Sequence, residues 1–126
     1  MRDERMRKVT QKRKPFTSQR FRRAVVKYIP CVASGMPADD PHHIKNIGTG
    51  TGPKDDRLII PLTREKHDLY HHDPAEWERR HGTQIWHCRR VLARVKELGL
   101  LDKRPDLLEE AEQMLDRFER GENYEM

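Results

Sequence analysis

Four histidines carry the chemistry this chain can do: an adjacent pair, His42 and His43, and a second pair, His67 and His71, four residues apart. Four residues on a helix leave two side chains about 40° apart on one face. Neutral imidazole is the commonest protein metal ligand, so that spacing lets His67 and His71 grip one ion. His72 lies five residues from His67, about 140° round the helix, so His71 is the better partner; His72 is left to pair with Asp68 or to contact DNA. His42 and His43 follow Pro41 in an extended stretch, where neighbours point to opposite sides. One of them can then ligate while the other stays available as a base. A ligand beside a free base, closed by two helical ligands, is what a one-metal phosphodiesterase needs.

The elements that must position these residues can be read from periodicity and punctuation. Thr17 or Ser18 can cap a helix running to about Lys27, with Phe21, Val25 and Tyr28 as its core stripe. The stretch His42-His43-Ile44-Lys45 is the candidate strand, expected to pair with Cys31-Val32-Ala33 as a hairpin across the turn-rich residues between them. A Gly-rich loop from Gly48 through Asp56 lacks the Gly-Lys-Ser/Thr ending of a phosphate-binding loop, which excludes that nucleotide reading. The apolar run Leu58-Ile59-Ile60-Pro61-Leu62 leads into the helix of His67 and His71. Asp73 caps the next helix, with Pro74 at its first position and Gly82 as its stop. Thr83 caps a helix from Gln84 to Leu98 ended by Gly99, and a last helix runs from Pro105 to Gly121. Trp77 and Trp86 are expected as core anchors, Cys31 and Cys88 as small buried residues, and His81 and His87 as structural or surface residues.

Composition sets the bounds. The chain has 126 residues, 34% hydrophobic and 37% charged, which allows one domain with a modest core. No apolar run is long enough for a membrane span, and the basic start lacks a signal-peptide core, so a cytoplasmic protein with reduced cysteines is expected. The net charge of +5 is uneven. Ten Lys/Arg face two acids between Arg2 and Arg23, whereas nine Asp/Glu face four Lys/Arg between Asp102 and Glu125. A basic front points to a polyanion partner. The expected organisation is a basic arm over 1–15, disordered in isolation, a core over 16–82, and a helical extension over 83–126.

The ordered set His-His on a strand, loop, apolar run and His-x-x-x-His on a helix resembles the ββα-metal core of the HNH endonuclease superfamily. Residues Pro30-Cys31-Val32, His42-His43-Ile44, the Gly-rich loop, Ile60-Pro61-Leu62, His67, His71 and Trp77-Glu78 are similar to the phage recombination-enhancement nucleases, which act with a RecA-type filament. The resemblance implies an α+β fold, a small ββα-metal finger with an N-terminal helix and two or three C-terminal helices. It also implies a metal-dependent DNA endonuclease or nickase, encoded by a phage or prophage and working in DNA recombination or processing. Residue by residue, it makes His42, His67 and His71 the ligands of one divalent ion and His43 the general base. Three imidazoles favour Zn²⁺, Ni²⁺ or Co²⁺ in raw affinity, with Mg²⁺ or Mn²⁺ as activators that prefer oxygen ligands, so zinc is the expected bound ion.

Two departures from that pattern matter. Where many relatives carry an Asn between the two histidine groups, the nearest candidates here are Asp55 and Asp56, expected to support the loop. Paired Cys-x-x-Cys knuckles are missing, so no structural zinc is expected and the added helices must stabilise the finger. Lys54, Arg57 and Arg64 flank the site and, with Lys12, Arg13 and Lys14 of the arm, are the expected DNA contacts. The competing reading is a metal-stabilised DNA-binding module without chemistry.

Overall fold

The computed structural model describes residues 14–121; Lys12, Arg13 and most of the basic arm lie outside them. Helix α1 spans Gln19–Tyr28 and starts where expected, the Ser18 side chain accepting from the Phe21 amide. Phe21 and Val25, with Ile29 just beyond, form its buried edge. Strand β1 is Asp40–His43 and β2 is Ile59–Leu62. They pair antiparallel, with His42 opposite Ile60 and His43 opposite Ile59.

That pairing corrects the expected hairpin. Cys31–Ala33 is not a strand, because the segment closes on itself: the Cys31 amide donates to Met36 O and the Gly35 amide to Cys31 O, both at 2.8 Å. Only the Val32 amide reaches the sheet, donating to Pro61 O at the outer side of β2. The apolar run 59–62, buried at all four positions, is the stronger partner for β1. The prolines make this register specific. The ladder bond from the Ile44 amide to Leu58 O sets the alternation. Pro41 and Pro61, facing each other, then fall at a pair that exchanges no hydrogen bonds, where a missing N–H costs nothing. Between the strands, Gly52 passes so close to the backbone just past β1 that a Cβ there would sit 2.2 Å from Ile44 O.

Helix α2, Arg64–His72, follows β2 after the Thr63 cap. Helix α3, Pro74–His81, is capped by Asp73 and stops at Gly82. Helix α4, Gln84–Leu98, is capped by Thr83 and ends at Gly99 with φ +70. Helix α5 is Pro105–Glu119. The fold is therefore α+β, five helices around one small antiparallel sheet in a ββα order. One apolar cluster runs through it, from Val25 of α1 through Ile44, Ile59, Ile60 and Leu62 to Leu92 and Val95 of α4 and Leu115 of α5. Cys31 and Cys88 are unpaired buried thiols, as read from the sequence. No helix among the described residues is long and apolar enough to cross a membrane.

Three sequence expectations fail on burial. Tyr28, expected in the core stripe of α1, is 51% exposed, and Ile29 just past the helix takes the buried place instead. Arg57 is 1% exposed, not a DNA contact. Its Nε and Nη2 donate to Asp55, and its Nη1 to Leu107 O and Glu110, fastening the loop before β2 to α5. A buried guanidinium needs such a complete set of acceptors. Trp77 is buried, but Trp86 is 52% exposed and is no core anchor. It lies on the outer side of α4, with the Arg90 guanidinium 4.9 Å from its ring centre.

Candidate metal centre

Three of the four histidines converge. His42 Nδ1 lies 3.3 Å from His67 Nε2, and His71 Nε2 lies 3.1 Å from the same atom. All three ring nitrogens fall within 4.8 Å of one another. A tetrahedral ion with nitrogen ligands at about 2.0–2.1 Å separates them by about 3.3 Å, close to the two separations at His67, so the three rings could hold one metal ion. Strand β1 supplies His42, and one face of α2 supplies His67 and His71 by the i, i+4 relation. His42 is buried, His67 half-buried and His71 exposed, so the set opens to solvent on the His71 side. Three such ligands leave a four-coordinate ion one position for water or substrate.

Outer partners fix which nitrogen of each ring is presented. Gln84, at the first position of α4, accepts at Oε1 from His42 Nε2 at 3.0 Å and from the Lys45 amide at 3.0 Å. Its amide nitrogen donates to Lys45 O, Glu78 Oε2 and Tyr70 Oη. Those contacts settle the orientation of the amide, so the His42 proton sits on Nε2 and Nδ1 offers its lone pair. Asp40 accepts from His67 Nδ1 at 3.0 Å, leaving Nε2 for the ion. Hydrogen bonds of this kind orient ligating rings in metal sites. Burial pushes the Asp40 carboxyl up, but its bonds from His67 and Arg64 outweigh this and hold it below the usual range. Burial pushes His42 down to about 3, opposed by Gln84 and reinforced by His67 and His71. His71 is lowered too, first by burial and then by His67. Rings kept neutral are rings ready to ligate.

These depressions fix a stability profile for the metal-free protein. The unfolded His42 binds a proton below about pH 6.5, which the native ring refuses until about 3. Stability is then complete above about 6.5 and drains as pH falls towards 3, by up to about 1.4 kcal/mol per unit. His71, His81 and His87, all lowered, act in the same direction. The urea midpoint of chelator-treated protein should fall clearly between pH 7.5 and 5.5. A midpoint that holds or rises over that interval would contradict the burial of His42.

His43 points away from the cluster, as adjacent strand residues must. Its Nε2 is held by Asp56 Oδ1 at 2.9 Å, and among the described residues nothing hydrogen-bonds its Nδ1. The ring is 32% exposed, whereas the Asp56 carboxylate is 2% exposed. The other Asp56 oxygen takes the Ser18 amide at 2.6 Å and Arg22 Nη1 at 2.5 Å. Asp56 is therefore the acid that faces the site, and Asp55 is the one committed to Arg57 and the Phe16 amide.

The remaining expected residues separate cleanly. Lys14 and Lys54 are exposed. Arg64 is exposed and paired with Asp40. His72 and Asp68 are both exposed but share no hydrogen bond. His87 is buried, its Nε2 donating to His81 O at 2.6 Å. Gln84, Asp40 and Tyr70 were not foreseen. Asp40 carried a signal, since it shares a strand face with His42 two residues on. Gln84 carried none, because only the packing of α4 against the sheet brings it to His42.

An α+β fold with a solvent-open three-histidine cluster is thus the class of protein defined by the geometry. The chain belongs to the protein family of unknown function DUF968, whose model matches residues 6–99. It is similar to the uncharacterized protein YdfU of Escherichia coli (strain K12), 37% identical over 92 residues. The match covers 71% of this chain and 26% of that protein, so the chain spans about a quarter of its relative's length. No solved structure matches.

Proposed function

We propose that this chain is a metal-dependent DNA endonuclease or nickase of the HNH type, hydrolysing phosphodiester bonds at a single ion with His43 as general base. The observation that carries the reading is the division of labour between adjacent residues on β1. His42 converges with His67 and His71, the ring nitrogens lying 3.3 and 3.1 Å from His67 Nε2 and all within 4.8 Å of one another, which supports a shared ion. His43 is turned out of it and held through Nε2 by a buried carboxylate. A purely structural metal site has no work for such a histidine. The ion, when bound, supplies Lewis acidity at the scissile phosphate and neutralises the charge that develops on the leaving oxygen. His43 takes the proton of the attacking water at Nδ1, while Asp56 holds the ring and stabilises the imidazolium that results. His42, His67 and His71 hold the ion and leave its open side to the phosphate. Zinc suits three imidazoles best as the resident ion, with Mg²⁺ or Mn²⁺ as candidate activators.

Nicking of supercoiled plasmid by the purified chain, surveyed across Mg²⁺, Mn²⁺, Co²⁺, Ni²⁺ and Zn²⁺, tests this directly. Conversion to open circles that stops on chelation and returns with one of these ions is the expected result. A RecA-type filament on the DNA belongs in the same survey, because the resemblance to recombination-enhancement nucleases extends to that partner. Protein that binds metal but never cuts under any of these conditions is a metal-stabilised binding module instead.

A further inference from the structure

Many of the charged side chains of this molecule are spent on each other, but α1 carries a cluster of cations that are not. Among the described residues, Arg22, Arg57, Arg64, Arg79, Arg80, Arg89, Arg94 and Arg104 form ion pairs with carboxylates. Helix α1 carries Arg20, Arg22, Arg23 and Lys27 and no acid at all. Arg20, Arg23 and Lys27 are exposed and have no carboxylate partner among the described residues. Their i, i+3, i+7 spacing confines them to a sector of about 60°, opposite the buried edge of Phe21 and Val25. Over about 10 Å of helix they make a continuous ridge of three positive charges.

The ridge is placed beside the reactive side of the sheet. Arg22, one step from Arg23, shares the Asp56 carboxylate with His43. Pro41 lies on the same face of β1 as His43. It forms with Arg22, Arg23 and Lys27 the wall of an open cleft of about 440 Å³, with Asp39 as its acid. On the other flank of α1, Arg20, Arg23 and Lys27 line a second cleft with Lys103 and Arg104 opposite, and Asp102 as its acid. Unpaired exposed cations confined to one helix face and leading away from a phosphodiester site match a phosphate backbone.

We propose that Arg20, Arg23 and Lys27 of α1 form a track for the DNA phosphate backbone that flanks the scissile bond on the His43 side. The inference rests on the nuclease reading for its substrate, but binding tests it independently of cutting. The track contributes affinity without base choice, since phosphates are common to every sequence. Neutralising three phosphate contacts on duplex DNA lowers the slope of log affinity against log salt by about 0.9 each, or about 2.7 together.

The experiment measures binding of a fluorescent DNA duplex to the full chain between 50 and 300 mM salt, in a His43→Ala background so that the DNA stays intact. Arg20→Gln/Arg23→Gln/Lys27→Gln is compared with Arg90→Gln/Arg94→Gln/Lys96→Gln, an equal charge loss on α4. The α1 set should flatten the slope by about 2.7 while the α4 set leaves it nearly unchanged, with both retaining the parent melting temperature. Equal flattening by both sets reduces the effect to net charge and overturns the track, as does an unchanged slope in the α1 set. Plasmid nicking by the otherwise wild-type chain is read separately. Its absence alongside a slope lost only in the α1 set removes the nuclease reading and keeps the track, whereas a parent that binds no duplex overturns the track and leaves the nuclease reading to the plasmid survey.

Discussion

His43→Ala should abolish plasmid nicking while leaving the metal in place. A positioned general base contributes about a hundredfold to ten-thousandfold in rate, so the expected loss lies in that range at saturating DNA. The side chain stands outside the ligand cluster, its Nε2 on Asp56 and its ring partly exposed. Truncation therefore leaves His42, His67 and His71 where they are, and metal content and melting temperature should persist. Asp56→Asn is the companion variant. Asparagine can still accept from His43 Nε2 but no longer stabilises the imidazolium, and it weakens the bonds from Ser18 and Arg22. It should lose rate less severely than His43→Ala and also lose some stability, because it unpicks a buried carboxylate. A His43→Ala protein that nicks DNA at the parental rate would remove general-base catalysis by this residue. If the same variant instead lost its metal, His43 would have to be counted among the ligands.

The parts of this molecule that could be read in the sequence are those fixed within a few residues. Ser18, Thr63, Asp73 and Thr83 accept from amides three positions on, so helix starts announce themselves locally. Gly99 likewise ends α4 by a single backbone conformation. The i, i+4 geometry of His67 and His71 is local too, and it was enough to find two of the three converging nitrogens. Strand pairing is not local. Cys31–Ala33 and Ile59–Leu62 both offer apolar residues to β1, and only the self-closing turn at 31–36 and the facing prolines decide between them. Charge type was equally ambiguous at Arg57 and Arg64, seven residues apart on either side of β2. One is buried against Asp55 and Glu110 and the other is exposed beside Asp40. Which acid meets which base depends on where α5 returns, and no spacing rule carries that information.

Gln84 shows the same limit at the centre of the site, and replacing it should cost the protein its grip on the ion. Gln84→Met keeps the length of the side chain and removes every polar contact. His42 Nε2 and the Lys45 amide then lose a shared acceptor, and Lys45 O loses a donor. Each buried group left unpaired costs about 1–3 kcal/mol, which lowers the melting temperature. The more specific consequence is for the ligand. Without an acceptor at Nε2 the His42 ring is free to turn or to move its proton to Nδ1, the atom that must face the ion. Loss of an outer partner of this kind typically weakens metal affinity about tenfold to a hundredfold, and competition with a chromophoric chelator measures it. The Co²⁺ d–d spectrum adds a reading that simple destabilisation does not move, since band position and intensity follow ligand geometry. Gln84→Glu separates the two roles of the amide: it keeps an acceptor for His42 but sets a carboxylate against Glu78 and Lys45 O. It should therefore be less stable than the parent while retaining more of the parental cobalt spectrum than Gln84→Met. Parental affinity and an unshifted spectrum in a folded Gln84→Met protein would mean that the strand alone orients His42.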